Sequence, residues 1–177
     1  MSCNIQQALG EVDIVKDDNA LGVVKTFLDR DTTDPNAHVL NSQSTLKAIF
    51  VKNDSGGTLG SGLGATYKSG GLGKTIGALS GANLRCDGVV DPFIGAGNTV
   101  ADGSYFWLII EGPIDVEVGA GDLAVNSVVQ TLASGKFGTG TAGTNPLGHS
   151  GIAAEAGVSA GRARVFFQNA FSAVKGG

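Results

Sequence analysis

Charged side chains are scarce in this chain of 177 residues. Asp, Glu, Lys and Arg make up only 16% of it, where soluble domains usually have about 25%. The 12 basic residues form no cluster, and the formal net charge is −4. Because a nucleic-acid-binding protein presents a basic surface, we expect no nucleic-acid partner.

Cysteine and histidine are also rare, with two residues of each. Cys3 lies at the N-terminus and Cys86 near the middle of the chain, so a disulfide framework is not expected. His38 and His149 are isolated from each other, which argues against a zinc site. Two thiols of this kind are typical of a protein made in a reducing cytoplasm.

Long hydrophobic runs are absent. The longest strongly apolar segment is residues 105–110, whereas a membrane-spanning helix needs about 20 residues. The first residues have neither the basic nor the apolar segment of a secretory signal peptide. The sequence therefore predicts no signal peptide and no membrane partner.

Glycine, in contrast, is abundant, with 29 residues, more than twice the usual share of roughly 7%. Each glycine inside a helix costs about 1 kcal/mol relative to alanine, so long helices are disfavoured. A hydrophobic content of 42% is too high for a disordered protein. A chain with so few charges must expose apolar surface, so we expect it to associate with its own copies or with a larger surface.

Short apolar segments separated by glycine-rich turns predict strands at residues 21–28, 46–51, 65–67, 75–79 and 128–132. The clearest strand is residues 104–111, which is apolar on both faces and is expected to end at Gly112-Pro113. Residues 114–118 then alternate, with Asp115 and Glu117 predicted to face solvent. Residues 137–148 are predicted to be an exposed loop, followed by a final hairpin at 152–156 and 162–167.

This pattern predicts an all-β fold, a small antiparallel β-barrel or β-sandwich with an N-terminal arm. We place the arm at residues 1–18 and a single β domain at residues 19–177. The candidate core and contact residues lie in the arm, in the clearest strand and in the last strand. They are Ile5, Leu9, Val12, Ile14, Phe106, Trp107, Leu108, Val165 and Phe167.

Two short motifs resemble catalytic loops but lack essential parts. Residues 71–75 read GLGKT, yet Lys68 stands where a phosphate-binding loop requires glycine. Residues 157–161 read GVSAG, but no acid or histidine follows Ser159, and a strand rather than a helix is predicted after it. Both motifs are interpreted as turns.

Acidic residues offer two further alternatives to a purely structural role. Asp115 and Glu117 lie roughly 7 Å apart on one strand face, a separation seen in glycosidases. We favour a solvated face, because both acids alternate with core residues. Residues 29–34 weakly suggest a calcium loop, but the required glycine and closing glutamate are missing. We therefore expect no enzyme activity, no catalytic residue, no cofactor and no metal.

The turns and strands of residues 46–170 resemble the small capsid decoration, or cement, proteins of tailed bacteriophages. The similar segments are IFVKNDSGGTL at 49–59, GVVDPF at 88–93, VADGSYFWLIIEGP at 100–113 and the hairpin at 151–157 and 161–167. The Gly121-Asp122-Leu123 turn after the alternating strand is also typical of such proteins.

The resemblance implies a structural virion protein, made in the cytoplasm of the host bacterium and bound to the outer capsid surface. Its partners would be the major capsid protein, whose neighbouring subunits it bridges, and itself, as a homotrimer or else a homodimer. Two alternatives are another phage head-fibre or tail component and a glycan-binding β module.

Overall fold

The computed structural model describes residues 5–30, 40–140 and 149–168. The regular secondary structure of these ranges is β strand apart from single 3-10 turns at Asp18–Ala20, Pro92–Ile94 and Ala133–Gly135, so the all-β prediction is confirmed. None of these short helices is long and apolar enough to cross a membrane. The strands are β1 Val24–Arg30, β2 Leu40–Asn53, β3 Leu59–Gly60, β4 Gly64–Tyr67, β5 Thr75–Ala78, β6 Gly88–Val90, β7 Thr99–Val100, β8 Tyr105–Glu117, β9 Val128–Thr131, β10 Phe137–Thr139, β11 His149–Ala153 and β12 Arg162–Gln168.

Ten strands of the described ranges form one sheet that curls into two joined rings. The first ring is β2-β5-β4-β6-β8, and it closes because β2 also pairs with β8. The second ring is β8-β12-β11-β9-β10, and a bridge between Val118 and Phe137 brings β10 back to the end of β8. Strand β1 extends the sheet beyond β2, and β3 and β7 form a separate ladder. Among the described strands the pairings are antiparallel except that of β2 with β5, and the Val118–Phe137 bridge is also parallel.

Strands β2 and β8 lie between two hydrophobic cores, because successive side chains on a strand point to opposite faces. Phe106 and Leu108 enter the first core, to which every strand of the first ring contributes. Trp107 and Ile109 enter the second core, together with side chains from β9 to β12. Burial on both faces of residues 105–109 confirms the prediction for this strand.

The predicted break at Gly112-Pro113 is wrong, since β8 continues to Glu117. A bulge replaces the break: Ala48 pairs with Ile109 but Lys47 pairs with Glu111, which leaves Ile110 as an extra residue. Beyond Glu111, β8 pairs with β12 and no longer with β2. Pro113, which has no amide hydrogen to donate, is tolerated there because the β2 side of β8 needs no hydrogen bond.

The predicted exposed loop at residues 137–148 is also wrong in its first part. Residues Phe137–Thr139 form β10, and the Phe137 side chain is fully buried. Residues 141–148 lie outside the described ranges. The final hairpin is confirmed, because β11 pairs with β12 and places Ala163, Val165 and Phe167 on one buried face.

The described part of the predicted arm lies along the body of its own chain. We call residues 5–15 the strap. Its backbone has no regular structure, and hydrogen bonds to β8 hold it in place. The indole Nε1 of Trp107 donates to the carbonyl oxygen of Gln7 over 2.9 Å. The amide of Asp13 donates to Tyr105 O, and the Asp13 carboxylate accepts from the amide of Tyr105.

Candidate interaction surface

The outer face of the second ring carries a row of exposed apolar side chains, which we call the apolar row. It consists of Val128 on β9, Ile152 on β11 and Phe166 on β12. Ile152 is the direct cross-strand neighbour of both others, so their side chains are within contact distance. Their exposed fractions are 44%, 53% and 54%. A continuous exposed row of this kind marks a contact surface more often than a single exposed residue does.

The charged side chains of β12 are paired within the chain. On β12, Arg164 donates through Nη1 to Asp115 on β8 over 3.0 Å and through Nη2 to Asp29 on β1. The Asp29 side chain is only 1% exposed, whereas that of Arg164 is 15% exposed. On β12 the row is therefore bordered by an arginine whose charge is already compensated.

A second arginine ties β12 to the first ring. The Nε of Arg162 donates to Glu117 on β8 over 2.8 Å, and its Nη2 donates to the Ser61 hydroxyl over 2.8 Å. Its Nη1 reaches the carbonyl oxygen of Pro92 over 3.3 Å. Because one guanidinium contacts three separate segments, this end of the second ring is fixed relative to the first.

The predicted solvated face of Asp115 and Glu117 is thus an ion-paired face. Asp115 lies directly opposite Arg164, and Glu117 lies directly opposite Arg162. The sequence did hold this signal, because two alternating acids and two alternating arginines match in antiparallel register. The pairing also leaves these carboxylates bound to cations, unlike an acid–base pair poised over a substrate.

The motifs that resembled catalytic loops are turns, as predicted. Residues 71–75 lie at the β4–β5 connection, where the amide of Lys74 donates to Gly71 O. Ser159 is exposed in the β11–β12 turn, and its amide donates to the Asp122 carboxylate. Of the calcium-loop candidate, Asp29 is ion-paired and residues 31–34 lie outside the described ranges, as does His38. Within those ranges no group of metal-ligating side chains is present.

Two other reactive side chains of the described residues, Cys86 and Tyr67, are buried and half-buried respectively. Burial raises the pKa of the Cys86 thiol to about 12, so this cysteine is unreactive. Burial, with the charge of Asp87, also raises the pKa of Tyr67 to about 12. A cavity of about 400 Å³ beside Ser80 and Ser134 is lined by hydroxyls and apolar groups but by no acid or histidine.

The candidate core and contact residues fall into three groups. Phe106, Trp107, Leu108 and Val165 are fully buried, and Ile5 and Phe167 are 2% exposed. Leu9 and Val12 are partly buried and pack against the second and first cores respectively. Ile14 is 66% exposed. Sequence reasoning missed the apolar row, because its members come from three strands whose pairing was unknown.

Comparison with known proteins gives a likeness of fold. No family model matches the chain, and no curated protein matches it. Among solved structures, the head fibre gp8.5 N base of bacteriophage phi29 is similar, with a TM-score of 0.50 and 15% sequence identity. The match covers 69% of this chain and 93% of that one. At this identity the match shows a shared β architecture.

Proposed function

We propose that this protein is a structural component of a tailed-bacteriophage virion. It attaches to the outer surface of the assembled capsid and stabilises the capsid by bridging neighbouring major capsid subunits. The apolar row is the observation that carries the proposal, because it is exposed on a face where the arginines of β12 are already paired with acids. Such a face gains by contact with another apolar surface and offers little to a charged partner.

Two further observations support a virion role. Residues 46–170 resemble decoration proteins, and the fold resembles that of a phage head fibre base. On a capsid, a self-associated form, a homotrimer or else a homodimer, would engage several equivalent sites at once, so each contact needs only modest affinity. No catalytic role, nucleic-acid partner or membrane partner is part of this proposal.

A head-fibre base is the second candidate, favoured by the fold match that covers 93% of the phi29 chain. The glycan-binding alternative has less support. A glycan platform needs several exposed aromatic rings, but Trp107 is fully buried, Tyr105 is 8% exposed and Tyr67 is half-buried, which leaves Phe166 as the exposed large aromatic side chain of the described residues. The two virion roles differ in whether capsid subunits are bridged.

Purified protein mixed with undecorated phage shells tests these roles. Added density at all symmetry-equivalent capsid positions, together with a higher temperature of shell disruption, is the result expected for a bridging protein. Density without a change in that temperature would favour a fibre base. If imaging finds no added density on shells of the cognate phage, both virion roles are wrong.

A further inference from the structure

Strand β1 forms an open edge of the ten-stranded sheet. It stands first in the strand order, and within the described ranges it pairs with β2 alone. The strand at the other end of the order, β10, is bridged back to the end of β8. A free strand edge offers unpaired N–H and C=O groups to another extended chain, so β1 is a site where a further strand can be added.

The register of β1 on β2 shows which backbone groups point into the open edge. Phe50 on β2 bonds the residues just before β1 through both its amide and its carbonyl oxygen, each over 2.9 Å. Antiparallel pairs alternate between hydrogen-bonded and non-hydrogen-bonded, so the next residue of β1 and every second residue after it form non-hydrogen-bonded pairs. These residues are Val24, Thr26 and Leu28. Their amides and carbonyl oxygens therefore point away from β2, and in the described part of the chain none of these groups has a hydrogen-bond partner.

The same three residues have exposed side chains on one face of β1. Val24 and Leu28 are each 50% exposed, and Thr26 is exposed between them. A lysine on the edge is a common protection against strand addition, but Lys25 is directed to the opposite face. Its Nζ donates to a backbone oxygen of the strap and lies over the Trp107 ring. The open edge is therefore lined by uncharged, mainly apolar side chains.

We propose that a second copy of this chain adds its own β1 to this edge, antiparallel and about a two-fold axis at Thr26. In that register Thr26 faces its own copy, and Val24 faces Leu28 of the partner subunit. Each of these pairs exchanges both of its N–H···O bonds, and the half-exposed valine and leucine bury each other as cross-strand neighbours. Residues 24–28 are thus complementary to themselves, which favours a second copy over an unrelated extended chain.

The β1 contact uses other residues than the apolar row. The proposed function leaves the self-associated form open between a homotrimer and a homodimer. A surface that pairs with itself about a two-fold axis closes after two copies, so the β1 contact selects the homodimer. The inference is drawn from the backbone register and does not depend on capsid attachment, so either proposal can fail without the other.

Sedimentation equilibrium of the full chain over a range of concentrations tests the pairing. The mass should rise with concentration from 17.7 kDa to twice that value. Val24→Lys replaces an apolar contact by a charge and should raise the dissociation constant of the dimer at least about tenfold. Leu72→Lys is the control, because it adds the same charge at a turn residue that is 73% exposed, and it should leave the constant unchanged.

Disulfide formation tests the register, in a Cys3→Ser background where the other cysteine, Cys86, is buried. Thr26→Cys should link two copies on mild oxidation, because the Cα atoms of a hydrogen-bonded pair lie about 5.5 Å apart, within disulfide range. Val24→Cys should not, since in this register its own copy lies about 13 Å further along the strand.

Three results would each overturn the proposal. One is a mass that stays at a single copy or settles at three copies. Another is a dissociation constant that Val24→Lys leaves unchanged, or that Leu72→Lys raises equally. The third is cross-linking of both cysteine variants or of neither. If Val24→Lys does not fold, the mass of the unmodified chain and the cross-linking of Thr26→Cys decide.

Discussion

Gly112 shows how one residue lets a single strand serve two cores. Its φ of +115° lies in a region that other residues rarely adopt. A Cβ there would lie 2.8 Å from both the Cα of Leu46 and the carbonyl oxygen of Thr45. The bulge at Ile110, two residues earlier, shifts the alternation of β8, so that Ile109 before it and Ile114 after it both enter the second core.

We expect Gly112→Ala to lower the free energy of unfolding by at least about 2 kcal/mol, because strain and close contact add. Gly121→Ala is the matched control, since Gly121 has a φ of +85° but a Cβ added there would meet no atom within 4 Å. That control should cost about 1 kcal/mol. Urea unfolding measures both variants, and equal losses would show that the close approach to β2 is unimportant.

Trp107 is the second decisive residue. Its ring packs edge-on against Phe27 and Phe50, with centroids 5.1 and 5.2 Å away, and its indole holds the strap. Trp107→Ala should cost about 3 to 5 kcal/mol through the cavity it leaves. Trp107→Phe keeps a ring and loses the hydrogen bond to Gln7, so it should cost less. Thermal unfolding measures whether Trp107→Ala loses more stability than Trp107→Phe. An unchanged Tm in Trp107→Ala would contradict the assignment of Trp107 to the core.

At the scale of elements, strand existence could be predicted from the sequence but strand continuity could not. Alternation and glycine turns located β8 and the final hairpin. A bulge adds one residue to a strand without changing the amino-acid composition of the segment. From the sequence, Gly112-Pro113 was therefore indistinguishable from the end of a strand. Strand β10 was not predicted, because its glycine-rich segment has a weak intrinsic preference for β structure. Burial of Phe137 stabilises the strand in spite of that weak preference.

The contact between β12 and β1 makes an element-scale prediction. Arg164→Ala removes a guanidinium from the Asp29 carboxylate, which is 1% exposed. Removing one partner of a buried ion pair typically costs about 3 to 5 kcal/mol. Lys47→Ala breaks the Lys47–Glu111 pair, whose side chains are 49% and 52% exposed, and should cost at most about 1 kcal/mol. Chemical denaturation compares the free energies of unfolding of the two variants. Similar small losses of stability would show that the buried pair contributes little.

At the scale of the whole molecule, two rings that share β8 give a body with few unpaired strand edges. Closure of a sheet limits edge-to-edge aggregation, and the arginines of β12 fix the second ring against the first and against β1. The candidate surface could not be predicted from the sequence, because Val128, Ile152 and Phe166 become neighbours only when β9, β11 and β12 pair. Its apolar side chains face outward from a rigid support and so remain available to a partner.

If the apolar row binds the capsid, the double variant Ile152→Ser with Phe166→Ser should bind undecorated shells at least about tenfold more weakly, since each buried apolar side chain contributes roughly 1.5 to 3 kcal/mol. Stability should change little, because both side chains are more than half exposed. The control is Leu72→Ser with Val158→Ser, which alters two turn residues that are 73% and 70% exposed. Co-sedimentation with shells measures binding. Unchanged binding of a folded double variant, or an equal loss in the control, would remove the row from the capsid contact.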